Sequence, residues 1–168
     1  MSQDGVRKVA VFATSAWGGY SACRQYDEDI QRMREHLAEQ GLPDIEFTKI
    51  RQFFDHPKFV DEMAAAVTEV WGQVPEEKKE STRLLFTAHS VPVAHDNVGG
   101  AEGDKNLYSR QVAEASRLVA ARAGISDYDL VWQSRSGNPR TPWLEPDIVD
   151  HTTDIHHNEG IDTVVVCP

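Results

Sequence analysis

Leu84-Leu85-Phe86-Thr87-Ala88-His89-Ser90-Val91-Pro92 is the stretch that decides the fold, because an apolar segment of strand length ends there in a polar loop. A continuous apolar run of this length is typical of a strand buried in a parallel sheet. In open parallel sheets, ligands bind beyond the carboxyl ends of the strands. His89 at that end is therefore the first candidate functional residue. A strand-end histidine that only bonds a neighbouring loop has the same pattern.

Predicted strands and helices alternate on both sides of this stretch. Strands are predicted over residues 6–13, 45–50, 83–89, 128–133 and 163–167. Helices are predicted over residues 21–40, 56–71, 105–123 and 145–159. This alternation predicts an α/β fold with a parallel sheet flanked by helices and right-handed crossovers. The sheet is expected to be incomplete at both ends, since the chain opens and stops close to a strand.

Length and charge limit the class of protein. The 168 residues suit one domain, and 27 acidic against 17 basic residues give a net charge of -10. This charge disfavours nucleic acid and anionic membrane surfaces as partners. No apolar run approaches the ~20 residues of a membrane span. With two cysteines and no secretory signal, a cytoplasmic protein that binds small molecules or cations is expected.

Three motifs carry a resemblance to a known family. Ala88-His89-Ser90-Val91-Pro92, and Trp132-Gln133-Ser134-Arg135-Ser136-Gly137-Asn138-Pro139 followed by Pro142-Trp143-Leu144-Glu145-Pro146, resemble ferrochelatase, which inserts ferrous iron into a porphyrin. Ala13-Thr14-Ser15-Ala16-Trp17-Gly18-Gly19-Tyr20-Ser21-Ala22-Cys23-Arg24-Gln25-Tyr26 is similar to the actinobacterial branch. The resemblance implies a Rossmann-like chelatase fold and insertion of ferrous iron into coproporphyrin III during haem biosynthesis. A monomer is expected.

The resemblance also implies a place within a longer two-domain chain. Residues 1–14 correspond to the last strand of a first domain, and residues 15–168 to most of a second Rossmann-like domain. In the family, a catalytic glutamate follows the position of Pro168. We therefore expect these residues alone to bind substrate at best, and turnover to require the full-length protein.

His89 matches the family's active-site histidine, which implies that it accepts pyrrole protons or guides the substrate iron. A neutral imidazole can do either. Coproporphyrin is a flat plate that carries carboxylates, so aromatic walls and cationic partners suit it. Substrate binding is accordingly assigned to Trp17, Tyr20, Ser21, Ser90, Arg135 and Trp143. For Arg135 and the nearby Arg140, a solvated surface position fits the sequence equally well.

Cys23 matches the position of the first ligand of a two-iron two-sulfur cluster in the actinobacterial branch. Such a cluster takes four thiolates, so this cofactor is expected only in the full-length protein. A small buried residue near a helix start is the alternative for Cys23. Cys167, at the end of an apolar strand, is expected in the core.

Other candidates are weaker. The last predicted helix contains a polar set with spacing that suits a metal, but a buried stripe of Ile148, Thr152 and Ile155 predicts a solvated face for that set. Its members are Asp147, Asp150, His151, Asp154, His156 and His157. Trp132 is expected to pack in the core, and no Gly-x-Ser-x-Gly motif supports Ser90 as a nucleophile. A cobalt chelatase and a tetrapyrrole-binding module without turnover remain alternative functions.

Overall fold

The computed structural model describes residues 3–19, 25–100, 103–138 and 140–168. The chain divides into two compact units. The first unit comprises Met1–Phe53 with Asp96–Tyr108, and the second comprises Phe54–His95 with Ser109–Pro168. No helix in the described ranges is long and apolar enough to cross a membrane.

The first unit contains a small parallel sheet and one long helix. Its elements are β1 (Lys8–Val11), α1 (Gln25–Glu39) and β2 (Glu46–Lys49). The two strands pair in parallel from Lys8 opposite Glu46 onward. Ile45, just before β2, and Leu37 of α1 are buried. Helix α1 ends before Gly41, whose φ of 65° lies in the left-handed region that glycine adopts at helix ends.

The second unit contains a three-stranded parallel sheet in the order β4-β3-β5. Its strands are β3 (Thr82–His89), β4 (Tyr128–Gln133) and β5 (Thr163–Cys167). Its helices are α2 (Pro57–Gly72), a 3-10 helix (Glu76–Ser81) and α5 (Ile148–Glu159). Helices α3 (Val93–Asp96) and α4 (Leu107–Ala123) contain the points at which the chain passes from one unit to the other.

Strand β3 is the centre of the second unit because both of its faces are apolar. Leu84 belongs to a core cluster that includes residues of α2 and α4, whereas Leu85 packs with Val131 of β4 and Ile155 of α5. Leu84 and Leu85 are both fully buried. Burying such a side chain stabilises the fold by about 1.5–3 kcal/mol. The prediction of a parallel sheet flanked by helices is therefore confirmed.

Two differences from the predicted elements concern the loops after β3 and β4. Helix α5 begins at Ile148 rather than at residue 145, because the Asp147 carboxylate accepts the Val149 N–H at 2.8 Å and so caps the helix there. Glu145 precedes Pro146, and a residue before proline is disfavoured in the helical conformation. In addition, the segment between the predicted strand 83–89 and the predicted helix 105–123 contains the short helix α3.

The polar set on α5 is only partly a solvated face. Ile155 is buried as expected, but His151 is partly buried and its Nε2 lies 3.0 Å from Asp129 Oδ2 on β4. The same carboxylate accepts from Arg83 Nη1 of β3 at 3.0 Å, and Arg83 Nη2 reaches Glu159 at 2.8 Å. His151 is therefore part of an ionic cluster that links two strands to α5. Within the described ranges, no three metal-ligating side chains come together.

Candidate active site

Strand β3 places His89 at the carboxyl end of the second unit's sheet. His89 is the last residue of the strand, lies opposite Gln133 at the end of β4, and is exposed. Side chains alternate between the faces of a strand, so Leu85, Thr87 and His89 share the face that packs on α5. Leu85 is fully buried and Thr87 is buried. His89 is thus the first exposed residue on this face of β3 after the buried Thr87. It lies at the end of the sheet where ligands of parallel sheets bind.

The loops that follow β3 and β4 are joined by backbone hydrogen bonds. Ser90 N–H donates to Gln133 O at 2.7 Å, and Leu144 N–H donates to Val91 O at 3.0 Å. Pro92 and Trp143 form an antiparallel bridge between the two loops. Of the predicted site residues, the structure therefore brings His89, Ser90 and Trp143 together.

Ser90 lies inside this junction rather than on its surface. The residue is 2% exposed, and its hydroxyl donates to Leu144 O at 2.9 Å. Direct contact between Ser90 and substrate stays a prediction, but the hydroxyl already has a partner within the protein.

Trp143 is partly buried beside Pro92. Its indole Nε1–H is buried and has no acceptor among the described residues, as is also true of the Thr87 hydroxyl on β3. A buried donor without a partner costs about 1–3 kcal/mol. The packing and backbone hydrogen bonds of the two loops therefore maintain the position of the Trp143 ring and offset this cost. Trp132, in contrast, is 4% exposed and confirms the prediction of core packing.

Arg135 and Arg140 lie in the loop after β4, and both are exposed. The Arg135 guanidinium is 3.9 Å from the Glu145 carboxylate. An exposed ion pair of this kind contributes about 0–1 kcal/mol, so a carboxylate ligand could replace Glu145 at little cost. Arg140 N–H donates to Asn138 Oδ1 at 3.0 Å, which shapes the turn without engaging the arginine side chain.

Of the remaining predicted site residues, one belongs to the first unit and three lie outside the described residues. Trp17 belongs to the first unit, where its N–H donates to Ser15 Oγ at 3.3 Å in a tight local turn. Tyr20, Ser21 and Cys23 lie outside the described residues. Cys167 is buried in the core, as predicted, and burial raises the pKa of its thiol to about 11.

Tyr108 is a residue of the first unit that sequence reasoning missed. Its side chain packs under Gly19, where a Cβ would lie 3.4 Å from Tyr108 Cβ. Burial, together with the Asp96 carboxylate, raises the pKa of the Tyr108 phenol to about 12. Tyr108 therefore supports the loop that contains Trp17 as a neutral phenol. No motif marks it, because the contact joins positions far apart in the chain.

Comparison with known proteins gives one consistent result. The family model described as Ferrochelatase matches residues 1–168. The chain is 56% identical over 168 residues to a coproporphyrin III ferrochelatase of Corynebacterium glutamicum, and 54% identical over 169 residues to one of Nocardia farcinica. A third, from Mycolicibacterium smegmatis, is 53% identical over 168 residues. Each comparison covers 100% of this chain but only 45% to 47% of the relative, so the chain spans under half of their length. The chain belongs to the ferrochelatase family.

Proposed function

We propose that this chain is part of an enzyme that inserts ferrous iron into coproporphyrin III during haem biosynthesis. The observation that carries the proposal is His89, exposed at the carboxyl end of β3 beside the junction that holds Trp143. The printed names of the relatives support the choice of coproporphyrin III as substrate.

Metalation of a porphyrin releases two pyrrole protons for each ferrous ion bound. A neutral imidazole is a suitable base for a proton of this kind, and it can also make the first contact with the ion. His89 stands on a rigid strand, so its ring can be held close to the macrocycle without ordering a loop. We assign it the catalytic role; acceptance of a proton and guidance of the iron are both compatible with its position.

Substrate binding is proposed for the residues around His89 and for those of the first unit. Trp143 supplies an apolar wall, and Arg135 a cation for a carboxylate of the macrocycle. Trp17, Tyr20 and Ser21 remain proposed substrate contacts on the resemblance of their motif.

The iron-sulfur cluster does not fit the residues of this chain alone. A two-iron two-sulfur cluster takes four thiolates, whereas the chain has two cysteines, and Cys167 is held in the core. A cluster that uses Cys23 is proposed only for the full-length protein. A cytoplasmic location is likewise a prediction from the sequence.

The test is an anaerobic titration of the full-length protein with coproporphyrin III and ferrous iron, followed by absorption spectroscopy. Binding alone shifts the free-base bands, whereas insertion replaces them with the simpler bands of the metalated ring. We expect insertion by the full-length protein, and at most the binding shift for the 168-residue chain. A binding shift without insertion in the full-length protein would identify a tetrapyrrole-binding module, and insertion of cobaltous ion but not ferrous ion would identify a cobalt chelatase.

His89→Ala in the full-length protein should lower kcat/KM for insertion by about 100-fold or more, because a positioned base contributes about 10²–10⁴-fold. The dissociation constant for coproporphyrin III should change by less than about threefold, since most of the contact area of the plate comes from other residues. His157→Ala is the matched control, because His157 is exposed on α5 and its Nδ1 donates to the Thr153 carbonyl at 2.8 Å. Retained insertion by His89→Ala would remove His89 from the mechanism.

A further inference from the structure

We propose that Ser90 is a positioning residue whose hydroxyl holds Trp143 at a fixed place relative to His89. The inference rests on the proposed function, because it gives Trp143 and His89 different roles toward the same substrate. Trp143 is a wall for the tetrapyrrole plate, and His89 is a base for its nitrogens. Ser90 acts through Leu144, whose carbonyl accepts its hydroxyl.

The backbone of Ser90 is placed by the sheet itself. Its N–H donates to Gln133 O at 2.7 Å, which extends the β3–β4 pairing one residue beyond the strand. Because Ser90 directly follows His89, the backbone at the end of β3 cannot shift without breaking this bond. The hydroxyl therefore starts from the same rigid position as the imidazole.

Leu144 is held on both sides of its backbone. Its N–H donates to Val91 O at 3.0 Å, and its carbonyl accepts the Ser90 hydroxyl at 2.9 Å. On the other side of Trp143, the Pro142 carbonyl accepts the Val93 N–H at 3.0 Å. Trp143 thus lies between two residues whose backbone groups are bonded to the loop after β3. Its ring position follows from those bonds.

The hydroxyl is the member of this set of bonds that depends on the side chain. Any residue other than proline at position 90 keeps the backbone bonds, but alanine leaves the Leu144 carbonyl without the hydroxyl donor of Ser90, a residue that is 2% exposed. The loop after β4 then loses one of its attachments while β3 and His89 keep theirs. We expect Trp143 to be less well positioned against the tetrapyrrole, while the position of His89 is unchanged.

The test is a double-mutant cycle on insertion by the full-length protein. Ser90→Ala should raise KM for coproporphyrin III by about 10-fold, the size of one net hydrogen bond, with kcat and its pH profile unchanged within about threefold. Trp143→Ala should also raise KM. Adding Ser90→Ala to Trp143→Ala should raise KM by less than about twofold further, because the wall that the hydroxyl positions is already gone.

Ser116→Ala is the matched control. Ser116 is 4% exposed, and its hydroxyl donates to the Val112 carbonyl at 2.9 Å within α4. This variant loses the same kind of bond away from the junction, and its KM should stay within about twofold of wild type. If Ser90→Ala does not fold, Ser90→Cys replaces the hydroxyl with a weaker donor of similar size and should raise KM in the same direction by less.

Additive effects of Ser90→Ala and Trp143→Ala on KM would overturn the proposal, as would a KM for Ser90→Ala equal to that of Ser116→Ala. Either result in an active wild-type protein leaves the proposed function intact. Failure of the wild-type protein to bind coproporphyrin III would instead overturn the proposed function itself, so the two failures are distinguishable.

Discussion

At the scale of single residues, chemistry in this chain depends on where a side chain stands along its strand. Leu85, Thr87 and His89 share one face of β3, yet the first is fully buried and the last is exposed. Cys167 ends β5, but it lies opposite Phe86, within the apolar cluster. A reactive residue type at a strand end is therefore a candidate only if the strand has left the core.

Cys167 should accordingly be inert to thiol reagents in the folded chain. A pKa of about 11 in place of the ordinary 9.0 leaves about 100-fold less thiolate at pH 8, and burial further limits access. The measurement is the rate of iodoacetamide alkylation of a Cys23→Ser variant at pH 8, with and without denaturant. We expect alkylation at least about 100-fold slower in the folded chain. Equal rates would contradict the burial of this thiol.

At the scale of elements, the ends of α5 are set by one residue at each terminus. Asp147 has extended dihedral angles, with φ -68° and ψ 141°, and its carboxylate caps the helix. Gly160 ends it in the left-handed conformation, with φ 73°. Ile155 of this helix packs against Leu85, on the same face of the sheet as His89. Its start also determines where the loop that carries Trp143 must end.

Asp147→Ala should lower the free energy of unfolding by about 0.5–2 kcal/mol, because the Val149 N–H loses its acceptor and the helix loses a negative charge at its N-terminus. The measurement is urea denaturation followed by circular dichroism. Asp150→Ala is the matched control: Asp150 is an exposed acid in the same first turn but is not the capping residue. An equal loss in both variants would mean that charge, rather than capping, accounts for the effect.

At the scale of the whole molecule, Arg83 links distant segments of the second unit. This side chain is 13% exposed and joins β3 to Asp129 of β4 and Glu159 of α5. Burial disfavours the charged form, but carboxylates of Asp129, Asp127 and Glu159 together raise the pKa of the guanidinium. The cluster therefore links segments that are distant in the chain at the amino end of the sheet, away from His89.

Arg83→Met should lower the free energy of unfolding by about 1.5–3 kcal/mol, because it removes charged hydrogen bonds from a poorly hydrated site and leaves Asp129 without its cation. Arg117→Met is the matched control, since Arg117 pairs with Glu114 on the surface with 57% of its side chain exposed. The control should change stability by less than about 1 kcal/mol. Equal effects of the two substitutions, measured by urea denaturation, would show that the cluster adds nothing beyond a surface pair.

Much of the fold could be predicted from the sequence because its signals are local. The apolar run from Leu84 to Phe86 marks the central strand, and Gly160 marks the end of α5. The candidate base, His89, follows from the same run. The start of α5 was predicted too early, since the apolar pattern alone does not reveal which acidic residue caps the helix. The partner of His151 was not predicted either, because Asp129 lies on β4 and no fixed spacing in the sequence relates it to His151.

By itself, the sequence determined the alternation of strands and helices, the family, and the position of His89 at a strand end. These depend on patterns of neighbouring residues, because the spacing of apolar side chains and the residues that cap helices determine local structure. Only the tertiary structure decided that Ser90 faces inward to Leu144, that Trp143 lies beside Pro92, and that His151 joins Arg83 through Asp129. Such contacts arise when parallel strands align their ends, which brings together residues that no spacing in the chain relates.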